Sequence, residues 1–302
     1  MQMDNQQRQY TNMNNGKISV VLATFNEEKN IEDCLTSIQD IADEIIIVDG
    51  SSTDNTVAIA KKFEAKVVVT DNPPIFHINK QKAIDMAQFE WILQLDADER
   101  VSPKLSEEIV KIAKMNDSEI EKYQETLLKH NLFSRHQELL ERRDGKIGAT
   151  TGPYAAFFIP RLNYFLGRYL RYGGVYPDGV IRLIRKKKAY LPCKDVHEQM
   201  VVDGRVGWLK NDLYHIDSPT FARYLQRNSR YIDLIAKELN EKAENNSFTS
   251  QIDYTIIKPL NWFLLTYIRH KGFLDGYQGF VFSLFSALRF PRAYSRYIKA
   301  SK

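Results

Sequence analysis

ISVVLATFNEEKNIEDCLTSI, residues 18–38, passes from a short β-branched apolar run through an acidic loop into a stretch with helical spacing, and reads as strand, loop, helix. The unit recurs. EIIIVD (44–49) is a second strand, Gly50-Ser51-Ser52-Thr53-Asp54 a loop and helix cap, and a helix is expected from about Asn55 to Phe63. AKVVVT (65–70) is a third strand. After the break at Pro73-Pro74 come a helix near Lys80 to Gln88 and a fourth strand in WILQLDADE (91–99). Strands alternating with helices predict an α/β fold with a mainly parallel sheet flanked by helices.

Working outward, residues 103–145 are highly charged with helical spacing, as expected of solvated helices with one packed face. Gly152 to Trp208 contains GPYAAFFIPRLNYFLGRYLRYGG, the strand-like VIRLIRKKKAYL and the dipeptide His197-Glu198, and is expected to complete the sheet. The pattern from Tyr214 to Leu239 predicts a helix, Asn240 to Asn246 a polar break, and the remainder is dense in aromatic and basic residues. Phe273, Tyr277, Phe280, Val281, Leu284, Phe285 and Leu288 keep helical spacing, in apolar runs too short for a membrane span. The division expected is a polar disordered tail over 1–16, an α/β domain over 17–215 and an amphipathic helical, membrane-proximal region over 216–302.

Apolar residues at 43% and charged residues at 26% exclude wholesale disorder and a polytopic membrane protein. The net charge is only +4, yet Lys and Arg gather after residue 160, which points to an anionic partner there. Cys34 and Cys193 are the only cysteines and lack metal-ligand spacing, so a reducing cytosol is expected rather than a disulfide framework. The first sixteen residues carry no apolar signal region, which argues against secretion.

In open sheets of this kind ligands bind beyond the carboxyl ends of the strands. Those ends are acidic here: Thr24, Asn26 and Glu27 after strand one, Asp49 after strand two, and Asp96, Asp98 and Glu99 after strand four. Any one of them alone is more ordinarily a loop former or helix cap. Asp96-Ala97-Asp98 at a strand end offers hard oxygen ligands of the kind Mg2+ or Mn2+ shares with phosphate oxygens and water. Such an ion would stabilise a departing nucleoside diphosphate as a Lewis acid.

Three blocks, ISVVLATFNEEKNIEDCLTSI, EIIIVDGSSTDNT and WILQLDADE, together resemble the family 2 glycosyltransferases of the GT-A fold, which is Rossmann-like. The likeness continues through INKQKAIDMA, IPRLNYFLGRYLRYGGVYPDGVIRLIRK, DVHE and GFLDGYQGF, where it is similar to a bacterial subgroup that includes lipopolysaccharide-core β-1,4-glucosyltransferases. It covers nearly everything after residue 17 except much of 115–148. What it implies is an inverting, metal-dependent transfer from a nucleotide-sugar donor, a UDP-hexose, to an envelope glycan or lipid-linked acceptor.

By the same resemblance Thr24, Asn26 and Glu27 lie beside the nucleotide, Asp49 contacts its base or ribose, and Asp96 is a ribose-side or metal-shell carboxylate. Asp98 is the direct ligand of Mn2+ or Mg2+. Lys80 and Lys82 stand where basic residues approach the diphosphate, although Lys82 reads equally as part of a solvated helix face. Inverting transfer needs a carboxylate that takes the acceptor proton. Asp178, in Tyr176-Pro177-Asp178-Gly179, and Glu198, beside His197 as a metal or phosphate contact, both qualify, and the chain lacks the Glu-Asp and Gln-x-x-Arg-Trp signatures that would choose. Asp178 also suits an ordinary turn and His197 a structural role. Arg182 and Arg185 could reach a diphosphate or an anionic acceptor, or bridge to the charged helices.

The C-terminal aromatic and basic helices fit peripheral association with an anionic membrane, at the cytoplasmic face of a bacterial inner membrane; core packing or a dimer contact would use the same residues. No nucleic-acid partner is expected, and the oligomeric state is open. Two rival classes are weighed: a sugar nucleotidyltransferase, which would want a glycine-rich basic loop where Phe25-Asn26-Glu27-Glu28 is acidic, and a noncatalytic anionic-lipid-binding module, against which the intact Asp49, Asp96 and Asp98 count.

Overall fold

The computed structural model describes residues 16–127, 131–194, 199–241 and 247–300. The chain opens with β1 (Ile18–Thr24), α1 (Ile31–Thr36), β2 (Glu44–Asp49), α2 (Thr56–Lys62), β3 (Lys66–Val69), α3 (His77–Met86), β4 (Trp91–Leu95) and β5 (Glu99–Val101). Helices α4 (Pro103–Lys114), α5 (Asp117–Leu127) and α6 (Asn131–Asp144) follow. Then come β6 (Tyr154–Phe165), β7 (Arg168–Tyr169), β8 (Asp178–Arg185), β9 (Ala189–Tyr190), β10 (Val201–Val202), β11 (Arg205–Trp208) and β12 (Leu213–Ser218). The chain closes with α7 (Phe221–Glu241), α8 (Phe248–Ile252), a π-helical turn (Asp253–Ile257), α9 (Lys258–Phe263), a second π turn (Leu264–Arg269), a 3-10 turn (Gly272–Asp275), α10 (Gly276–Ala287) and α11 (Arg289–Ala300).

The chain forms two compact units, one of residues up to Arg161 with Gly179–His215, the other of Leu162–Asp178 with the chain from Ile216 onward. The main sheet runs in the order β3-β2-β1-β4-β8-β6-β12-β5, with β7 and β11 also paired to β6. Its first four strands are parallel. Beyond them the sheet is mixed, because β8 runs antiparallel to β4 and β12 antiparallel to β5.

In the first unit β1, β2 and β4 are buried on both faces, which is why they read as unbroken apolar runs. Val20 and Leu22 of β1 and Trp91, Leu93 and Leu95 of β4 point into one core with Ile31, Cys34 and Leu35 of α1 and Leu105, Ile109 and Ile112 of α4. The alternating residues Val21, Val48 and Ile92 enter a second core on the other face, with Ala83 and Ile84 of α3. Helix α4 is started by Ser102, whose hydroxyl accepts from the Leu105 amide at 3.3 Å, with Pro103 in the first turn. Its buried Glu108 accepts from the amides of Lys210 and Asn211 at 2.6 and 2.9 Å and from the Tyr123 hydroxyl, fixing the turn that enters β12.

The helix predicted from Tyr214 to Leu239 begins only at Phe221, because LYHIDS is a strand: Leu213, His215 and Ser218 are buried, and His215 pairs with Glu99 of β5. The alternation of a strand ends at Pro219, and the helical period starts after it. Helix α3 starts at His77, so Lys80 stands on its first turn, where the strand-end loops converge, rather than at the helix start. The expected tail over 1–16 lies outside the described residues except for Gly16.

In the second unit, Phe165, Leu170, Tyr224 and Val281 form a small core. The buried Asp275 accepts from the amides of Arg171 and Tyr172 at 3.0 and 2.8 Å, and Gln278 donates to the Leu166 carbonyl at 3.0 Å. GFLDGYQGF is thus a clasp for the segment 166–172.

Candidate active site

The carboxyl ends of β1 and β2 are tied together by their polar residues. Thr24 and Asp49 face each other in register, and the Thr24 hydroxyl donates to Asp49 at 2.7 Å. Asp49 also accepts from the amide and hydroxyl of Ser52, each at 2.7 Å. Asn26 adopts a left-handed φ of 55°, its amide donates to the Ser52 hydroxyl at 2.8 Å, and its side-chain oxygen accepts from the Thr53 amide at 2.8 Å. The Glu27 amide donates to Thr56, and its carboxylate accepts from Asn30 at 2.8 Å. These residues therefore hold two loops in one rigid rim, with Phe25 exposed upon it.

Against that rim stands a buried charge network. Lys80 of α3 pairs with one oxygen of Asp96, and Arg182 of β8 with the other at 2.5 Å. The same guanidinium reaches Glu99 at 2.7 Å and the amide oxygen of Gln94 at 2.5 Å, while Arg161 reaches Glu99 at 3.3 Å. Glu99 is fully buried and the Arg182 side chain 9% exposed, so these pairs are little screened by water. Burial by itself would raise the Asp96 carboxyl, but Arg182 and Lys80 outweigh it and hold it well below the usual carboxylate range. For Lys80 burial prevails, and its ammonium is held below the ordinary lysine value although Asp96 pulls the other way.

Asp98 has a separate partner. Nε2 of His215 lies 3.5 Å from its carboxylate, and although burial opposes it, this contact keeps the Asp98 carboxyl below its ordinary value. His215 was not among the residues expected in the site. Its signal is the alternation of the buried Leu213 and His215 with the half-buried Tyr214 and Ile216, visible only once the stretch is read as a strand. Cys34 lies beneath the loop with Sγ 3.6 Å from the Asp96 carbonyl, and burial pushes its thiol upward, which makes it inert.

The structure thus brings Lys80, Asp96, Asp98, Glu99, Arg161, Arg182 and His215 into one cluster. Lys82 stands outside it, on an exposed face with its ammonium 3.2 Å from the Thr70 hydroxyl. Arg185 also stands outside, bridging to Asp117 at the start of α5 at 2.5 Å and lying over the Trp91 ring. Asp178 opens β8 and accepts from the Asn163 amide group at 3.1 Å. His197 and Glu198 lie outside the described residues.

Asp96 makes the stability of the metal-free protein acid-sensitive. Below its ordinary value of 3.8 the unfolded chain takes up a proton that the native carboxylate refuses, so its contribution is complete above that pH and is lost as the pH falls toward the lower native value. Urea midpoints measured between neutral pH and pH about 3 are expected to fall steeply at the acid end and less steeply in Asp96→Asn. Parallel curves for the two proteins would remove Asp96 as the source.

The family model for glycosyl transferase family 2 matches residues 19–188, a stretch that includes the rim, Lys80, Asp96, Asp98 and Arg182. An uncharacterized glycosyltransferase of Rickettsia typhi is 28% identical over 291 residues, covering 91% of this chain and 85% of the relative. The lipopolysaccharide core biosynthesis glycosyltransferase LpsC of Rhizobium meliloti is 24% identical over 295 residues, covering 90% of this chain and 91% of LpsC. Glucosyl-3-phosphoglycerate synthase from Mycobacterium tuberculosis, solved with Mn2+, UDP and glucosyl-3-phosphoglycerate, superposes at a TM-score of 0.25 with 29% identity, over 28% of this chain and 34% of that one, too slight an overlap to carry its site across. The match spans more than half of the chain and takes in both the parallel strands and the acidic loops they present, and on it the chain belongs to glycosyl transferase family 2 and is a glycosyltransferase.

Proposed function

We propose that the protein moves a hexose, with inversion, from a UDP donor to an envelope glycan or lipid-linked acceptor such as lipopolysaccharide core, with a divalent metal. The observation that carries this reading is the paired arrangement at the end of β4: Asp98 against His215, and Asp96 between Lys80 and Arg182. Among the described residues no group of three or more His, Cys, Asp or Glu side chains is placed to hold a metal ion. Asp98 and His215 supply one hard oxygen and one imidazole nitrogen, which leaves the other positions to water and phosphate oxygens. That donor set suits Mn2+, and Mg2+ less well. The bound ion would supply Lewis-acid stabilisation of the leaving diphosphate.

The chain's own residues do the rest. Both Asp96 oxygens are engaged by cations, which favours a place beside the donor over direct metal ligation. Lys80 and Arg182 provide fixed positive charge where diphosphate oxygens would sit, and low local dielectric strengthens that attraction. Thr24, Asn26, Glu27 and Asp49 shape the nucleotide rim. Asp178, opening the strand that carries Arg182, and Glu198 are, by the family resemblance, the two candidates to take the acceptor proton. The transferase domain is assigned to residues 17–215, of which Leu162–Asp178 cluster with the second unit, and 216–302 to a membrane-proximal region working at the cytoplasmic face of the inner membrane. The likeness to LpsC supports an envelope acceptor.

A thermal-shift panel of UDP- and GDP-sugars with Mn2+ or Mg2+ tests the donor, since a ligand at 100 times its Kd adds about 2.7 kcal/mol of stability. One UDP-hexose is expected to raise Tm only with metal present and to release UDP slowly in water. Pyrophosphate release from a nucleoside triphosphate and a sugar phosphate, with no shift by any nucleotide sugar, would instead establish a nucleotidyltransferase.

A further inference from the structure

The second unit carries an apolar face that the transferase chemistry does not use. From Phe248 to Arg269 the chain is helical throughout, α8 and α9 alternating with the two π turns. Ile256, Leu260, Leu264 and Ile268 recur every four residues along it, and each is 46–59% exposed. In a plain α-helix four residues turn through about 400°, so such a stripe would drift by about 40° per step around the axis. A π turn closes i to i+5 and takes in an extra residue, which sets that drift back. The π turns at Asp253–Ile257 and Leu264–Arg269 therefore offset part of that drift, and all four side chains stay exposed.

The stripe continues sideways. The Tyr267 ring lies 6.2 Å from Phe273 and 5.7 Å from Phe280, both of which are exposed on the following turn and helix, next to Tyr277 at 71% exposed. Together these residues form a patch wider than isolated surface apolar groups require. Arg269 and Lys271 are exposed at its end. Residues 248–300 contain seven Lys and Arg against two Asp. Of those two acids, Asp275 is buried under the 166–172 segment and Asp253 is paired with Lys258 at 2.9 Å. Arg269 and Lys271 therefore give the end of the patch a positive charge with neither Asp of this stretch exposed and unpaired beside them.

We infer that this face is a shallow docking surface for an anionic lipid bilayer, with Ile256, Leu260, Leu264 and Ile268 entering the headgroup boundary and Arg269 and Lys271 meeting lipid phosphates. Among the described residues no helix is long and apolar enough to cross a membrane, so the helical run lies along the surface. A second copy of the chain is the poorer occupant, because a two-fold contact through the patch sets its cationic rim against itself, whereas anionic headgroups neutralise it. This surface rests on the membrane-proximal reading above for its location only; the transfer chemistry is independent of it.

The test is co-sedimentation of the full chain with vesicles of phosphatidylcholine alone and mixed with phosphatidylglycerol. Binding is expected to the mixed vesicles, weakened by salt, and at least tenfold lower in Leu264→Glu/Ile268→Glu with Tm unchanged. Arg269→Glu/Lys271→Glu is expected to remove the preference for phosphatidylglycerol. Leu264→Trp keeps the stripe apolar, and its fluorescence is expected to be quenched by brominated lipid. UDP release measured without vesicles should be unaltered in all of these variants, so a failed transferase reading shows as absent UDP release while vesicle binding stands. No binding to mixed vesicles, binding indifferent to Leu264→Glu/Ile268→Glu, an unquenched Leu264→Trp, or a doubled mass by light scattering that the same double variant abolishes would each overturn the inference.

Discussion

Arg182→Met is expected to cost about 3–5 kcal/mol of stability, the usual penalty for removing one partner of a buried ion pair. The guanidinium serves Asp96, Glu99 and Gln94 at once, and two of the three, Glu99 and Gln94, are buried and cannot turn to bulk water when it is removed. Arg161 reaches Glu99 at 3.3 Å and Lys80 pairs with Asp96, but neither reaches both acids as Arg182 does. With about 2–4 °C of Tm per kcal/mol for a domain of this size, the melting point should fall by roughly 10 °C. Arg182→Lys should recover little, because an ammonium lacks the planar fork that reaches three acceptors. A melting point within about a degree of the parent would show that the carboxylates find other partners. The pair is no measure of net stabilisation by charge; the expected loss comes from stranding the acids.

Asp98→Asn is expected to leave Tm nearly unchanged and to lower kcat/KM with Mn2+ by about 10³-fold, equivalent to about 4 kcal/mol of barrier. The side chain is 25% exposed, keeps its volume on substitution and makes no contact with Lys80 or Arg182 among those that define the buried network, so folding depends on it little. The donor-dependent thermal shift should disappear with the activity. His215→Ala should lose less and should alter the preference between Mn2+ and Mg2+, since an imidazole ligand favours the softer ion. Turnover of Asp98→Asn close to the parent's would take Asp98 out of the site and leave the Asp96 cluster as a purely structural device.

The parallel half of the fold was legible because its strands are covered on both faces: ISVVLAT, EIIIVD and WILQL announce themselves as continuous apolar runs, and their polar ends mark the rim. What the acidic residues do there was less legible. Asp49 and Asn26 read as nucleotide contacts, and the structure engages the Asp49 carboxylate with Thr24 and Ser52 and the Asn26 carboxamide oxygen with Thr53; in a sequence, an Asp or Asn that shapes a rim and one that touches a ligand look alike. His215 was hidden since a six-residue strand directly before a long helix borrows the helix's apolar spacing. Arg182 and Arg185 stand three residues apart in VIRLIR, so the alternation of a strand sets them on opposite faces, and the sheet order then brings one to the acidic cluster and the other to α5.

The route by which His215 reaches Asp98 makes the site vulnerable to changes in chain length. β12 is held at its entrance by Glu108 and paired with β5 so that His215 stands opposite Glu99. Side chains along a strand alternate, so losing or gaining one residue between Trp208 and Leu213 would turn the imidazole to the opposite face and offer Tyr214 or Ile216 in its place. Homologous chains that share this chemistry should therefore vary in composition over 209–212 while conserving its length, and a single-codon deletion there should be more harmful than most substitutions.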